Sequence, residues 1–556
     1  MQTLYTEAGS RLHGMPWNAY PRPQLRREDW LCLNGDWELV LPDGAVRTIH
    51  VPFCPESLLS GVESPPAYGE AMVYRRRFTV PAAWAGKRVL LHFGAVNREA
   101  RVLLNGQELA VHENGYLPFT VELTEQLRPG ENELRVRVVN DLSHRHPWGK
   151  QKRDRGGMWY TPVSGIWQTV WLEPVPERYI RSLAITTGPD WAELAVEGVD
   201  EGSVTLDGRS IPLAGGKARI QVEEPILWCP ENPKLYPFQI TAGEDRVESY
   251  FALRTLTVEE HRGVLRLCLN GKPYFFHGLL DQGYWSDGLY TPPEPAGFAR
   301  DILAMKALGF NTLRKHIKIE PEQFYYDCDR LGMIVFQDMV NCGDYSFLRD
   351  TALPTIHLQK RRDRRLHPDP ETRANFLSSM EDTVRLLSNH PCVCYWTIFN
   401  EGWGQFEADA AYERLRALDS SRFIDATSGW FHQRRTDVES LHLYFEKLHL
   451  GKRRLPQVLS EYGGYSYKLP DHSFNREKTY GYRKFTERAP YARSLRELLE
   501  QLVPLAERGL CAAIYTQVSD VEDETNGLLT YDRRVQKLEP EELAGIAERL
   551  QKAVET

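Results

Sequence analysis

The sequence predicts a multidomain β plus α/β protein: two β-sandwiches, the second Ig-like, followed by a (β/α)₈ barrel. Three observations carry that prediction. At 556 residues the chain exceeds what one hydrophobic core sustains. Up to about Thr257 it is built of short β-rich runs punctuated by Gly and Pro, with no convincing helix. Beyond Thr257 apolar strands alternate with helix-length segments.

The first sandwich is expected over residues 1–175. Its strand candidates are Val73–Val80, Arg88–Phe93, Ala100–Leu104, Glu133–Val139 and Thr169–Leu172, parted by turn signals such as Asn105-Gly106 and Pro129-Gly130. The run Glu173-Pro174-Val175-Pro176 reads as a linker. A second, smaller set of strands fills residues 176–257, the size of one Ig-like sandwich. Its Pro/Trp/Tyr-rich stretch Pro225–Tyr236 reads as a strand-to-strand crossing with packed rings.

Residues 258–556 read as the barrel. Strands are expected at Tyr274–Leu280, Asn311–His316, Met333–Asp338, Val393–Asn400, Phe423–Thr427, Leu441–Tyr444, Gln457–Glu461 and Cys511–Gln517. Helices are expected at Pro295–Leu308, Glu320–Leu331, Glu371–Asn389, Phe406–Leu418, Ala492–Ala506 and, with proline at its first position, Pro540–Ala553. The sixth crossover, His449–Pro456, is too short for a good helix.

Composition narrows the function classes. The 68 basic and 76 acidic residues give a net charge of −8, and the one short basic run is Lys360–Arg365, so no nucleic-acid partner is expected. No apolar stretch approaches a membrane span, and Met1–Pro16 lacks the apolar run of a signal peptide, so a cytoplasmic, non-membrane protein is expected. Nine cysteines, an odd count, do not read as a disulfide framework. Cys392 and Cys394 share one strand face, where packing is expected and metal is not. The 14 Trp and 26 Tyr suit large cores and equally suit stacking on sugar faces.

A barrel builds its active site at the carboxyl ends of its strands. Strand four ends in Asn400-Glu401-Gly402-Trp403 and strand seven in Ser460-Glu461-Tyr462-Gly463-Gly464. These strands lie on opposed parts of an eight-membered ring, so the two carboxyl groups can face each other. A pair about 5 Å apart is the arrangement of a retaining glycosidase. A single glutamate after a strand is more often a helix N-terminal charge than a catalyst, and Asn-Glu recurs without purpose at Asn132-Glu133; the conjunction of two such acids is what points to chemistry. Asn400 is placed to donate to a sugar 2-hydroxyl. Arg314, ending strand two, is the candidate for holding Glu461 ionised, against a structural ion pair. Tyr444, ending strand six, is a candidate donor to Glu461, against ordinary packing. Asp281, Gln282 and Trp285 after strand one, His316 beside Arg314, Trp403, and Gln517 after strand eight are candidate sugar contacts, and Trp396 reads equally as core. The acidic run Asp520–Asn526 lacks the spacing of a calcium loop, so neither a metal nor a cofactor is expected.

These motifs resemble glycoside hydrolase family 2, which holds β-galactosidases, β-glucuronidases and β-mannosidases. The resemblance rests on Ser164-Gly-Ile-Trp167-Gln-Thr-Val-Trp171, Leu227-Trp-Cys-Pro-Glu-Asn-Pro-Lys-Leu-Tyr236, Gly309-Phe-Asn-Thr-Leu-Arg314 and Phe324–Gly332, along nearly the whole chain. It implies that the first sandwich is a jelly roll of the sugar-binding-like kind, that Glu401 is the acid/base and that Glu461 is the nucleophile. It implies a carbohydrate substrate; dimers and tetramers are common in the family, and the sequence leaves the oligomeric state open. Where familiar members carry Ser-His-Tyr-Pro after the strand-two arginine, this chain has Lys315-His316-Ile317-Lys318. Asp281-Gln282-Gly283 replaces their strand-one motif, and the Asn-x-Lys pair of β-glucuronidases has no match, since Asn475 and Lys478 are spaced differently. The expected activity is therefore an exo-acting retaining β-glycosidase, a β-galactosidase first. Arabinopyranosides, galactofuranosides and glucuronides, transfer to another sugar, or a non-catalytic carbohydrate binder are the alternatives.

Overall fold

The computed structural model describes residues 2–355, 358 and 362–555; Lys360 and Arg361, which open the basic run, lie outside them. The first sandwich packs a six-stranded antiparallel sheet against a four-stranded one. Its logic shows in Glu131–Val139, where Leu134, Val136 and Val138 point into the core while Glu133, Arg135 and Arg137 point outward. That strand pairs on one side with Ala71–Thr79 and on the other with Glu99–Leu104.

Two segments depart from the expected layout. The run read as a linker is the end of a fully buried strand, Val170–Val175, laddered to Arg88–Phe93. Its proline signal is overridden because Glu173 anchors a charged cluster: Arg22 bonds it directly, His92 Nε2 lies 2.8 Å away and Tyr20 donates to it at 2.8 Å. Burial works against the charge, but Arg22, His92 and Arg27 hold the Glu173 carboxyl far below its ordinary range. The N-terminal residues form a strap over the barrel. Trp17 sits in the barrel's core cluster and donates from Nε1 to Pro292 O at 2.8 Å, and Asp287 accepts from the Thr6 backbone and hydroxyl.

Residues Ser182–Phe251 form a seven-stranded antiparallel sheet around Ile220, Phe238, Ile240 and Phe251. The Pro225–Tyr236 stretch ties it to the barrel, for Trp228 is buried in the barrel's core cluster and donates from Nε1 to Asp329 O at 2.7 Å.

The barrel strands run Phe276–Asp281, Thr312–Lys315, Ile334–Asp338, Val393–Asn400, Phe423–Ser428, Glu439–Leu443, Gln457–Tyr462 and Leu510–Tyr515. Parallel pairing is continuous from strand six through seven, eight, one, two, three and four to five. Strand four is buried at every position, so apolar residues fill both of its faces and only Thr397 and Asn400 are polar. The helix Pro370–Leu387 starts where Asp369 accepts from the Thr372 backbone and proline takes the first turn. Glu322–Leu331 stops at Gly332, whose φ of 73° is the left-handed cap. The sixth crossover has no helix, and Ala492–Ala506 is split into Arg488–Glu500 and Leu502–Glu507. Among the described residues no helix is long and apolar enough to cross a membrane, and the nine cysteines are free.

Candidate active site

Strand four delivers Glu401 in an unusual conformation. Its φ of 52° bends the chain out of the strand, with the backbone N–H donating to Ser428 O on strand five at 2.9 Å. Strand seven delivers Glu461 from across the ring. One carboxylate oxygen of each, together with a ring nitrogen of His442, lie within 4.8 Å of one another. His442 stands between them, Nδ1 2.7 Å from Glu401 Oε1 and Nε2 3.7 Å from Glu461 Oε1, with Ser428 Oγ 3.0 Å from Nε2.

Arg314 organises the floor. Its guanidinium donates to Asp338 Oδ1 (2.9 Å), Ser460 O (2.9 Å), Glu461 Oε1 (3.1 Å) and Asn400 Oδ1 (2.9 Å). That geometry fixes the Asn400 amide with Nδ2 buried and without a partner, a donor waiting beside both acids. Tyr444 donates its hydroxyl to Glu461 Oε2, and its ring stacks on Tyr482 at 3.9 Å. Burial opposes the Glu461 charge most strongly, but His442 and then Arg314 outweigh it and pull the pKa down to about 2. Asp338 is likewise held below its ordinary value against burial, by Arg314 and His316. Because Asp338 is a carboxylate, His316 Nδ1 carries the hydrogen and donates to it at 2.7 Å, leaving Nε2 a lone pair. Burial, then Lys150, pushes the His316 pKa down to about 4, so its ring is neutral.

Glu401, His442 and Glu461 also have the spacing of a metal-binding set. The donors fit that poorly. Both oxygens of Glu461 are already taken, one by a guanidinium and the other by a phenol, and a cation there would face the Arg314 charge.

The other expected contacts divide. Gln517 is in the strand-eight wall, donating from Nε2 to Glu524 Oε2 (2.7 Å) and Asn526 Oδ1 (2.8 Å). Trp403 is buried, in an aromatic cluster with Trp148 and Trp159, its ring centroid 6.3 Å from that of His316; it is a wall element more than an open platform. Asp281 is engaged elsewhere, accepting from Lys315 Nζ at 2.6 Å and from Gly283 N at 2.9 Å. Trp285 packs on Phe298 beneath the Arg533 guanidinium. Asp281 is thus paired with a buried lysine and Trp285 is packed in the strap-side core, neither of them bonded to Glu401 or Glu461. Gln282 is buried with Nε2 unpartnered and touches neither glutamate. Trp396 is core, donating to Asp419 at 2.8 Å. Asp520 is neutralised by Lys537 at 2.6 Å.

Three participants were missed. His442 lies two residues before Tyr444 and so shares its face, a signal the period of a strand supplies. Asp338 ends strand three, where the strand-end argument applies equally. Lys150 belongs to the first sandwich's loops, and nothing local in the sequence places it here.

A model of the galactose-binding domain-like region of glycosyl hydrolase 2 matches residues 65–199, and one of the family 2 TIM barrel domain matches residues 264–466. The β-glucuronidase of Felis catus is 26% identical over 408 residues, covering 63% of this chain and 58% of that protein. The β-galactosidase of Thermoanaerobacter pseudethanolicus is 24% identical over 483 residues, covering 79% and 60%. The chain spans about three fifths of the length of the curated relatives it matches. The solved structure of β-D-glucuronidase from Dictyoglomus thermophilum superposes with a TM-score of 0.75 at 19% identity, covering 96% of this chain and 98% of that one, a likeness of fold.

Proposed function

Since this chain belongs to glycoside hydrolase family 2, we propose that it is a retaining exo-β-glycosidase working by double displacement. The observation that carries the reading is the short separation of Glu401 and Glu461 across His442. An inverting pair needs room for a water between its carboxyl groups, roughly 6.5–9.5 Å, whereas a retaining pair stands about 5–5.5 Å apart. Glu461, ionised, attacks the anomeric carbon while Glu401 protonates the departing aglycone oxygen. The glycosyl ester on Glu461 is then hydrolysed by water whose proton returns to Glu401. Asn400 Nδ2 donates to the 2-hydroxyl, a bond that strengthens in the transition state. A binder without chemistry has no use for a nucleophile held ionised against burial.

For the glycone we favour a neutral sugar, β-galactoside first. Relatives named for β-glucuronides and for β-galactosides both occur, the former more often. Favouring a neutral ring are the buried acid Glu524 and the position of Lys478, exposed beyond Asn475 whose side chain bonds Asp523. A panel of nitrophenyl β-glycosides tests both levels. Turnover of the galactoside above the glucuronide and arabinopyranoside is expected; no turnover on any sugar overturns the enzyme reading.

The Arg314 geometry gives a pH prediction. Glu461 is depressed from its ordinary value near ~4.3, so the stability it contributes is present above that value and lost as pH falls toward 2. Arg314→Met removes the cation nearest Glu461 and Asp338. The acid limb of the kcat/KM profile should move up by about 1–3 pH units, and stability should fall by about 3–5 kcal/mol because two buried carboxylates lose their partner. An acid limb that stays in place would mean that Arg314 serves packing only.

A further inference from the structure

The segment Trp148–Gln151 leaves the first sandwich and enters the barrel mouth. It is held from both sides. The Trp148 backbone N–H donates to Asn341 O and its Nε1 to Gly343 O, each at 3.1 Å. Gln151 donates to Tyr116 Oη at 2.8 Å and accepts from Val163 N at 2.7 Å. Between them Gly149 has φ +66°, and a Cβ there would come within 2.6 Å of Tyr116 Oη, so the turn admits only glycine.

This hook presents Lys150. Its side chain is buried, with Nζ 5.5 Å from the Tyr160 ring centroid and 5.8 Å from that of Trp403. Among the described residues the ammonium has these two π faces and neither a hydrogen bond nor an ion pair. Its charge is felt by Glu461 and by Glu524, yet neither acid approaches to ion-pair distance. Glu524, also buried, is steadied by Gln517, whose own Oε1 is buried and unpartnered. The Lys150 ammonium thus has donors to offer, and Glu524, whose Oε2 accepts from Gln517, stands beyond ion-pair distance of it. A hydroxyl between them can accept from the ammonium and donate to the carboxylate.

We propose that Lys150 and Glu524 form a donor–acceptor clamp on the glycone, reading hydroxyls of a neutral sugar away from its anomeric carbon, with the lysine supplied by the first domain. This rests on the glycosidase reading above and deepens it. A uronate fits the clamp worse, because its carboxylate would enter beside two existing acids.

The experiment compares wild type, Lys150→Gln, Lys150→Arg and Glu524→Gln on nitrophenyl β-galactoside, the matched β-galacturonide, and the 3-, 4- and 6-deoxy-galactosides, with thermal melts as the folding control. Wild type should prefer the neutral sugar at least about tenfold, and Lys150→Gln should raise KM for it at least about tenfold, more than it lowers kcat. Lys150→Arg should recover part of that loss. One deoxy sugar, lacking the hydroxyl that is read, should be insensitive to Lys150→Gln. The clamp is overturned if wild type prefers the uronide and Lys150→Gln cancels that preference, or if KM is unmoved on every substrate by variants that melt normally. Absence of wild-type turnover on every glycoside defeats the glycosidase reading itself, a different result from either.

Discussion

Glu461→Gln should lower turnover by roughly 10⁵-fold while leaving the fold and melting temperature close to wild type. The variant is nearly isosteric: the amide oxygen can still accept from Arg314 Nη1, 3.1 Å away, and the amide NH2 can donate to the Tyr444 hydroxyl, which turns from donor to acceptor. What it cannot do is attack. The pull on the Glu461 pKa, from His442 and then Arg314, acts on a group that burial alone would have protonated. The surroundings are built to keep this carboxylate ionised, so removing the ionisable group removes the covalent step. Circular dichroism and a thermal melt beside the assay distinguish lost chemistry from lost structure. Activity near wild type would reassign the nucleophile.

Glu401→Ala should cost less, about 10²–10⁴-fold on substrates whose leaving group needs protonation, and far less on an activated dinitrophenyl glycoside, which needs no acid. Deglycosylation should then limit turnover, because no base activates water. Azide, a nucleophile that needs no base, should restore turnover and yield the β-glycosyl azide, its configuration reporting two inversions. His442 gives this variant a second signature. Its Nδ1 lies 2.7 Å from Glu401 Oε1 and its Nε2 faces Glu461, so the ring links the two acids. Cutting one end should shift the ring's proton-coupled NMR signal. An α-azide product, or no rescue with any leaving group, would contradict the assignment.

Much of this was legible in the residues. The barrel strands stand where apolar runs end in polar residues, and strand four, Val393–Asn400, is read to the residue because a fully buried parallel strand has no polar face to blur its ends. Glu401, Glu461, Arg314, Asn400 and Tyr444 meet in one pocket because each is the terminal residue of a strand or its neighbour, so topology alone places them. The failures share a cause: long-range partners that no local pattern announces. Glu173-Pro174-Val175-Pro176 has the composition of a linker, yet Arg22 and His92 turn it into a buried strand end. Asp281 is paired with Lys315 at 2.6 Å, a partner its strand-end position does not announce. Lys150 reaches the barrel from a different domain, pinned by Trp148 on Gly343, and only the assembled fold reveals it.

The proposed double displacement requires that Glu461 bond covalently to the anomeric carbon opposite Glu401. A 2-deoxy-2-fluoro β-glycosyl fluoride of the sugar that the panel selects slows hydrolysis of the glycosyl ester enough to trap it. Digestion and tandem mass spectrometry should then find one fluoroglycosyl group per chain, on the Gln457–Tyr462 strand at Glu461, and none after competition with substrate. A modification on Glu401 or any other residue, or time-dependent inactivation that leaves Glu461 unlabelled, contradicts it.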